Sequence, residues 1–219
     1  MAVRLRLHYG KTGGAKYISH LDLMASMRRA FLRAGLELKY SEGFNPHPYI
    51  SVALPLPVGC ASVCELLDFE IAEARPRESI QRLISPVLPE GLTAYEIYAP
   101  ERSFSKIAWV EICGRFIYDS GIPSGITERL TECFTAESVI VQKKTKRGIS
   151  DVDITSFIRD IVIRNDDAVT MTVKVSAQNP SISHTMLMDA LSGECGELTP
   201  GHASFTRMEL YDSDMIVFR

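Results

Sequence analysis

The chain has 219 residues, of which 46% are hydrophobic and 23% charged, a composition that supports one large or two small globular domains with a real apolar core. Its net charge of −3 excludes a polyanion-binding surface over the whole molecule. No run reaches the roughly 18–20 apolar residues of a membrane helix, and the opening "MAVRLRLHYG" lacks the apolar block of a signal peptide, so the expected compartment is the cytoplasm with no membrane partner.

Charge is unevenly spread. Residues 1–50 carry eight Lys and Arg (Arg4, Arg6, Lys11, Lys16, Arg28, Arg29, Arg33, Lys39) against Asp22, Glu37 and Glu42, which leaves the other 169 residues at −8. The five cysteines, Cys60, Cys64, Cys113, Cys133 and Cys195, are odd in number and scattered, so reduced thiols are expected rather than a disulfide framework.

In chain order, "VRLRLHY" (3–9) alternates Val3, Leu5 and Leu7 with Arg4, Arg6 and His8, the pattern of a half-buried strand. The glycine- and lysine-rich "GKTGGAK" follows. Then "SHLDLMASMRRAFLRAG" predicts a helix: Ser19 and Asp22 form a capping box-like start, and Leu23, Met27, Ala30, Phe31 and Ala34 make a buried stripe. Gly35 closes it as a C′ residue. "YISVAL" (49–54) and "CELLDFEIA" (64–72) read as strands, "PRESIQRLISPVLP" as a short helix entered through Pro76, and "LTAYEIYAP" (92–100) as a strand.

The second half repeats the order. "KIAWVEIC" (106–113) is a strand and "PSGITERLTECF" (123–134) a helix with Pro123 and Ser124 at its start. "SVIVQKK" (138–144) is a strand before a basic turn, followed by strand-like "VDITSFI", "RDIVIRN" and "AVTMTVKVS". "SHTMLMDALSG" (183–193) is a helix closed by Gly193, and "ASFTRMELYDS" (203–213) is the last strand. With one extra strand, this predicts an α+β chain of two tandem ferredoxin-like βαββαβ domains, 1–102 and 103–219.

Two stretches stand out. The first runs from Lys11 through Gly13, Gly14 and Lys16 to Ser19 and His20. A flexible basic loop that delivers a histidine to a helix N-terminus suits an anionic group. The second is "YSEGFNPHPYISVALPLPVG" (40–59), in which Pro46 and Pro48 hold their predecessors extended and present His47 on a stiff strip. Phe44 and Tyr49 flank it with rings on which a base can stack. In a βαββ unit the end of the first strand and the "PLPVG" turn belong to the same end of the sheet. The candidate substrate-binding residues are therefore Lys11, Lys16, Ser19, His20, Arg28, Arg29, Phe44, Asn45 and His47. Lys143, Lys144, Lys146 and Arg147 form a further basic tip. The signatures of a nucleophile elbow, a zinc protease, a dinucleotide fold and a C-x3-C-x2-C iron–sulfur site are absent from the sequence.

The block "KYISHLDLMASMRRAFLRAGLELKYSEGFNPHPYISVALPLPVG" (16–59) resembles the opening of the bacterial radical-SAM-linked protein family, a domain found beside or fused to the C-terminus of radical SAM enzymes. That family commonly carries lysine where Tyr49 stands. The resemblance implies an accessory module whose partner is a radical SAM enzyme, with the iron–sulfur cluster and S-adenosylmethionine belonging to the partner and no cofactor in this chain. RNA, or another phosphate-bearing molecule, is the expected substrate. Two alternatives stand beside it. One is a metal-independent endoribonuclease like the RAMP-class CRISPR RNA-processing proteins, with His20 and His47 as catalytic residues of one site. The other is a protein-docking subunit with an exposed apolar patch around Phe44 and Leu56.

Overall fold

In a computed structural model that describes residues 3–145 and 148–219, the chain is α+β and divides into two compact units, Met1–Lys106 together with Arg219, and Ile107–Phe218. No helix among the described residues is long and apolar enough to cross a membrane.

The first unit contains β1 (Val3–Lys11), α1 (His20–Arg33), β2 (Ile50–Val52), β3 (Ala61–Ile71), α2 (Arg77–Ile84) and β4 (Leu92–Tyr98). Its strands lie in the order β4-β1-β3-β2, each antiparallel to its neighbour. The alternation in β1 works as the sequence demands on one face: Leu5 and Leu7 stand opposite Phe69 and Leu67 and pack with Leu23, Met27 and Phe31 of α1 and Ile80 and Ile84 of α2. α1 starts at Ser19, whose Oγ accepts the Asp22 N–H at 3.2 Å, and ends at Ala34 before Gly35, which adopts φ +64°. β2 is shorter than the expected 49–54. Its pairing with β3 covers only Ile50 to Val52, bounded by Pro48 and Pro55.

The second unit contains β5 (Trp109–Ile117), α3 (Ile126–Thr135), β6 (Ile140–Thr145), β7 (Gly148–Asp153), β8 (Ile158–Asn165), β9 (Val169–Ser176), α4 (His184–Glu194) and β10 (His202–Tyr211). Four of these strands form an antiparallel sheet in the order β10-β5-β9-β8, while among the described residues β6 and β7 pair only with each other. There are thus two strands beyond the sheet's four, not one. "VDITSFI" is not a single strand. The Asp153 carboxylate accepts from the Thr155 N–H at 2.9 Å and the Thr155 hydroxyl at 2.6 Å, which folds the chain into a short turn at Thr155–Phe157 before β8. These bonds hold the Asp153 carboxyl down at about 2. α3 begins after Gly125, at φ +64°, rather than at Pro123, and α4 runs past Gly193.

The cysteines depart from expectation. Cys133 of α3 is disulfide-bonded to Cys195, just past α4, with Cα atoms 6.5 Å apart. Arg129 and Glu197 form an ion pair across the same two segments. Cys60, Cys64 and Cys113 remain thiols.

Candidate functional site

The first of the two stretches lies at the C-terminal end of β1, and the second runs from the N-terminal end of β1, where Asn45–Pro48 sits, to the same C-terminal end as the first. At that C-terminal end, a short 3-10 turn at Gly13–Tyr17 leads into α1, and the Gly59 N–H donates to the Lys16 carbonyl at 2.9 Å, so the "PLPVG" turn does sit against this loop. Lys11 is buried, with Nζ donating to the Ile18 carbonyl at 3.0 Å. It supports the loop from inside and is withdrawn from the surface, contrary to its expected role as an electrostatic contact. A bulge in β1 between Tyr9 and Lys11 goes with this placement. Ser19 and Asp22 bond to each other as a cap, Oγ to Oδ2 at 2.7 Å. His20, Arg28 and Arg29 are exposed, Lys16 is half-buried with Nζ 5.0 Å from the Tyr17 ring centroid, and Arg28 Nε donates back to the Met24 carbonyl at 3.3 Å.

At the N-terminal end of β1 stands the proline strip. It is a closed hairpin. The Ser41 N–H donates to the His47 carbonyl at 2.9 Å, the His47 N–H to Ser41 Oγ at 3.1 Å, and the Tyr49 N–H to the Lys39 carbonyl at 2.9 Å. Gly43 adopts φ +116°, a backbone that side-chain-bearing residues avoid, and so allows the reversal. Phe44 projects from this turn fully exposed, next to exposed Asn45 and His47.

His47 also lines a pocket of about 410 Å³ with Arg4, Tyr49, Ser51, Asp68 and Glu70. The register explains the grouping: Arg4 faces Glu70, Arg6 faces Asp68, and Ser51 faces Asp68 from the other side. Asp68 is buried and is held by Arg6 Nε at 2.6 Å and Arg4 Nη2 at 2.8 Å. Arg6 is itself buried. Its second nitrogen, Nη2, reaches Asp68 Oδ2 at 3.0 Å and the Arg102 carbonyl at 2.9 Å, and its guanidinium lies 4.2 Å from the Phe104 ring centroid. Glu70 is bridged by Lys39 at 3.1 Å. Sequence reading missed Arg4, Ser51, Asp68 and Glu70 as site residues, because they converge only once three strands are in register.

His20 and His47 are not brought together. His20 opens α1 after the loop at the C-terminal end of β1, whereas His47 lines the pocket with Arg4 near the N-terminal end, and His20 is not among that pocket's lining residues. The expected apolar patch is also divided: Phe44 is exposed, but Leu56 is only 8% exposed. The side chains of the basic tip Lys143, Lys144, Lys146 and Arg147 lie outside the described residues. Among the described residues, no group of three or more His, Cys, Asp or Glu is placed to hold a metal ion.

Fold and site therefore define an α+β protein with a polar pocket flanked by a rigid aromatic hairpin. Residues 4–184 match the family described as "Uncharacterized protein conserved in bacteria (DUF2344)", and the chain belongs to that family. No curated protein matches it. Among solved structures it is similar to a chain of a Cbf5-Nop10-Gar1 complex, at 10% identity over 94% of this chain and 48% of that one, with a TM-score of 0.46. It thus spans about half of that chain's length. It is also similar to the acetolactate synthase small subunit from Thermotoga maritima (9% identity, 94% of each chain, TM-score 0.26) and to an unknown protein from Galdieria sulphuraria (11%, 97% and 99%, TM-score 0.28).

Proposed function

We propose that the chain is a binding module that works beside a radical SAM enzyme and recognises RNA or another phosphate-bearing substrate. The observation that carries this reading is the closed hairpin of residues 39–49, which holds Phe44 fully exposed on a backbone pinned at both sides. An exposed ring on an ordered loop presents a face on which a base can stack. Because the loop is ordered beforehand, little conformational entropy is lost on binding. Phe44 stacks on the ligand, while Asn45 and His47 supply polar contacts. The radical chemistry, with its iron–sulfur cluster and S-adenosylmethionine, belongs to the partner.

The strand order β4-β1-β3-β2 supports a ferredoxin-like reading of the first unit, and β10-β5-β9-β8 repeats that order once the β6–β7 pair is set aside as an insertion. Two such domains in tandem give a scaffold with loops at both sheet ends and no need for a catalytic centre of their own.

The test is co-purification of the native chain with and without nuclease, together with RNA binding measured at low and high salt. Recovery of a radical SAM enzyme that survives nuclease is expected, with RNA binding that weakens steeply with salt and falls in Phe44→Ala. Failure to recover such an enzyme, together with no RNA affinity at low salt, would overturn the reading.

A further inference from the structure

We infer that the pocket beside the proline hairpin is a phosphate subsite that favours a terminal phosphate over an internal phosphodiester. The inference rests on the binding-module reading and names the chemical group taken at one place in it.

The charges come first. The charged residues lining the pocket are Arg4, Asp68 and Glu70, and both acids are already engaged by cations: Asp68 by Arg4 and by Arg6, and Glu70 by Lys39, Arg6 and Lys39 lying outside the lining. The surplus positive charge falls on Arg4. Arg6 is fully buried and committed to Asp68 and the Arg102 carbonyl, whereas the Arg4 side chain is 58% exposed. Among the described residues, Arg4 makes one hydrogen bond, from Nη2 to Asp68, out of the five N–H donors a guanidinium carries. The buried carboxylate thus holds one corner of the Arg4 fork and leaves other donors for a ligand, and arginine takes phosphate oxygens in pairs through such donors. Ser51, exposed on the adjoining strand, adds a hydroxyl to the same wall.

His47 supplies the discrimination. Its Nδ1 lies 3.2 Å from the Asn45 carbonyl and 3.3 Å from Ser41 Oγ. A carbonyl can only accept, so Nδ1 carries a proton towards Asn45 and Nε2 is the ring nitrogen left for a ligand. A phosphate monoester can place one proton between its own oxygen and Nε2, whichever of the two holds it, while its remaining oxygens meet Arg4 and Ser51. A diester has only two terminal oxygens, so once these meet Arg4 and Ser51 none is left for Nε2. The ligand class is therefore a molecule ending in phosphate, such as a nucleotide or an RNA end, with Tyr49 and Phe44 available to the base.

The experiment uses the full chain titrated with inorganic phosphate and, separately, with dimethyl phosphate, following the Arg4 Nε–H and the His47 ring nitrogens by NMR. Saturable shifts with inorganic phosphate are expected, with affinity for dimethyl phosphate roughly tenfold lower, the worth of one charge-assisted hydrogen bond. Arg4→Gln, which keeps the Arg6–Asp68 pair, should weaken phosphate by roughly tenfold or more. His47→Gln, an exposed loop change that does not threaten folding, should erase the preference over dimethyl phosphate. Shifts that never saturate, equal affinity for the two probes, or an unchanged preference in His47→Gln would overturn the inference. Neither probe involves RNA or a partner enzyme, so this subsite and the binding-module reading fail separately.

Discussion

Arg6 and Asp68, 62 residues apart in the chain, form a buried ion pair inside the first unit, Nε to Oδ1 at 2.6 Å, with side chains 0% and 3% exposed. A pair so far from water is stable only while both members are present. Removing Asp68 leaves the buried Arg6 without its carboxylate, and the Arg102 carbonyl, a neutral acceptor, does not balance the charge.

Asp68→Ala should therefore lower the unfolding free energy by about 3–5 kcal/mol, whereas joint replacement of Arg6 by Met and Asp68 by Leu should restore most of it. Urea denaturation of the two variants decides this. Equal losses in both would mean that the pair stabilises the unit in its own right. Arg4→Gln, which alters the exposed side of the network, should cost no more than about 1 kcal/mol.

Ser19→Ala should destabilise the protein by about 1 kcal/mol, because its hydroxyl caps the first turn of α1. Phosphate and RNA binding should be unchanged once folding is accounted for. Loss of binding at full thermal stability would instead give Ser19 a direct contact with ligand.

The Cys133–Cys195 bond closes a segment with a sequence separation of 62. In the chain-entropy account, a loop of this size is worth about 4 kcal/mol. The oxidised protein should lose stability on that scale when a reductant is added, and the double Cys→Ser variant should melt like the reduced protein and ignore reductant. Thermal melts with and without dithiothreitol give the comparison. Insensitivity of the wild type, with both thiols alkylated under native conditions, would show that the bond is not formed in solution.

Burial holds the His184 imidazole below its ordinary value, its ring lying 4.8 Å from that of Phe205. The unfolded chain therefore takes up this proton first, beginning near pH 6.5, while the folded chain does not. Stability should fall as pH drops below about 6.5, and the fall should flatten once the folded imidazole also protonates. His184→Gln should remove this part of the slope. A pH profile of unfolding identical in the variant would place the acid sensitivity elsewhere.

Local patterning was readable where neighbours in sequence decide the outcome. The Leu23, Met27, Ala30 and Phe31 stripe and the positive φ of Gly35 follow from helix periodicity and capping alone. The alternation of β1 was readable only on its apolar face. Arg4, Arg6 and His8 read equally as solvent-facing, yet Arg6 is buried, because Asp68 and Phe104 arrive from distant segments to pair and cover it. Lys11 illustrates the same limit: it reads as a loop cation, and the β1 bulge and the Ile18 carbonyl turn it into an interior brace. The Asn45-Pro46-His47-Pro48 strip was recognisable as rigid, but its neighbours in the pocket depend on the register of β1, β2 and β3, which no local signal specifies. The cysteine pairing is of the same kind. Nothing adjacent to Cys133 or Cys195 announces the other.

The roof that Phe104 and the Arg102 carbonyl form over Arg6 has a practical bearing on dissecting the chain. A fragment ending at residue 102 would discard Phe104 and open the charged interior of the first unit to water. A fragment carried through Lys106 keeps that lid. The few residues after β4 thus behave less like a tether than like the clasp of the first unit, and the shorter fragment should be the one that expresses poorly, even though it contains every strand and α-helix of that unit.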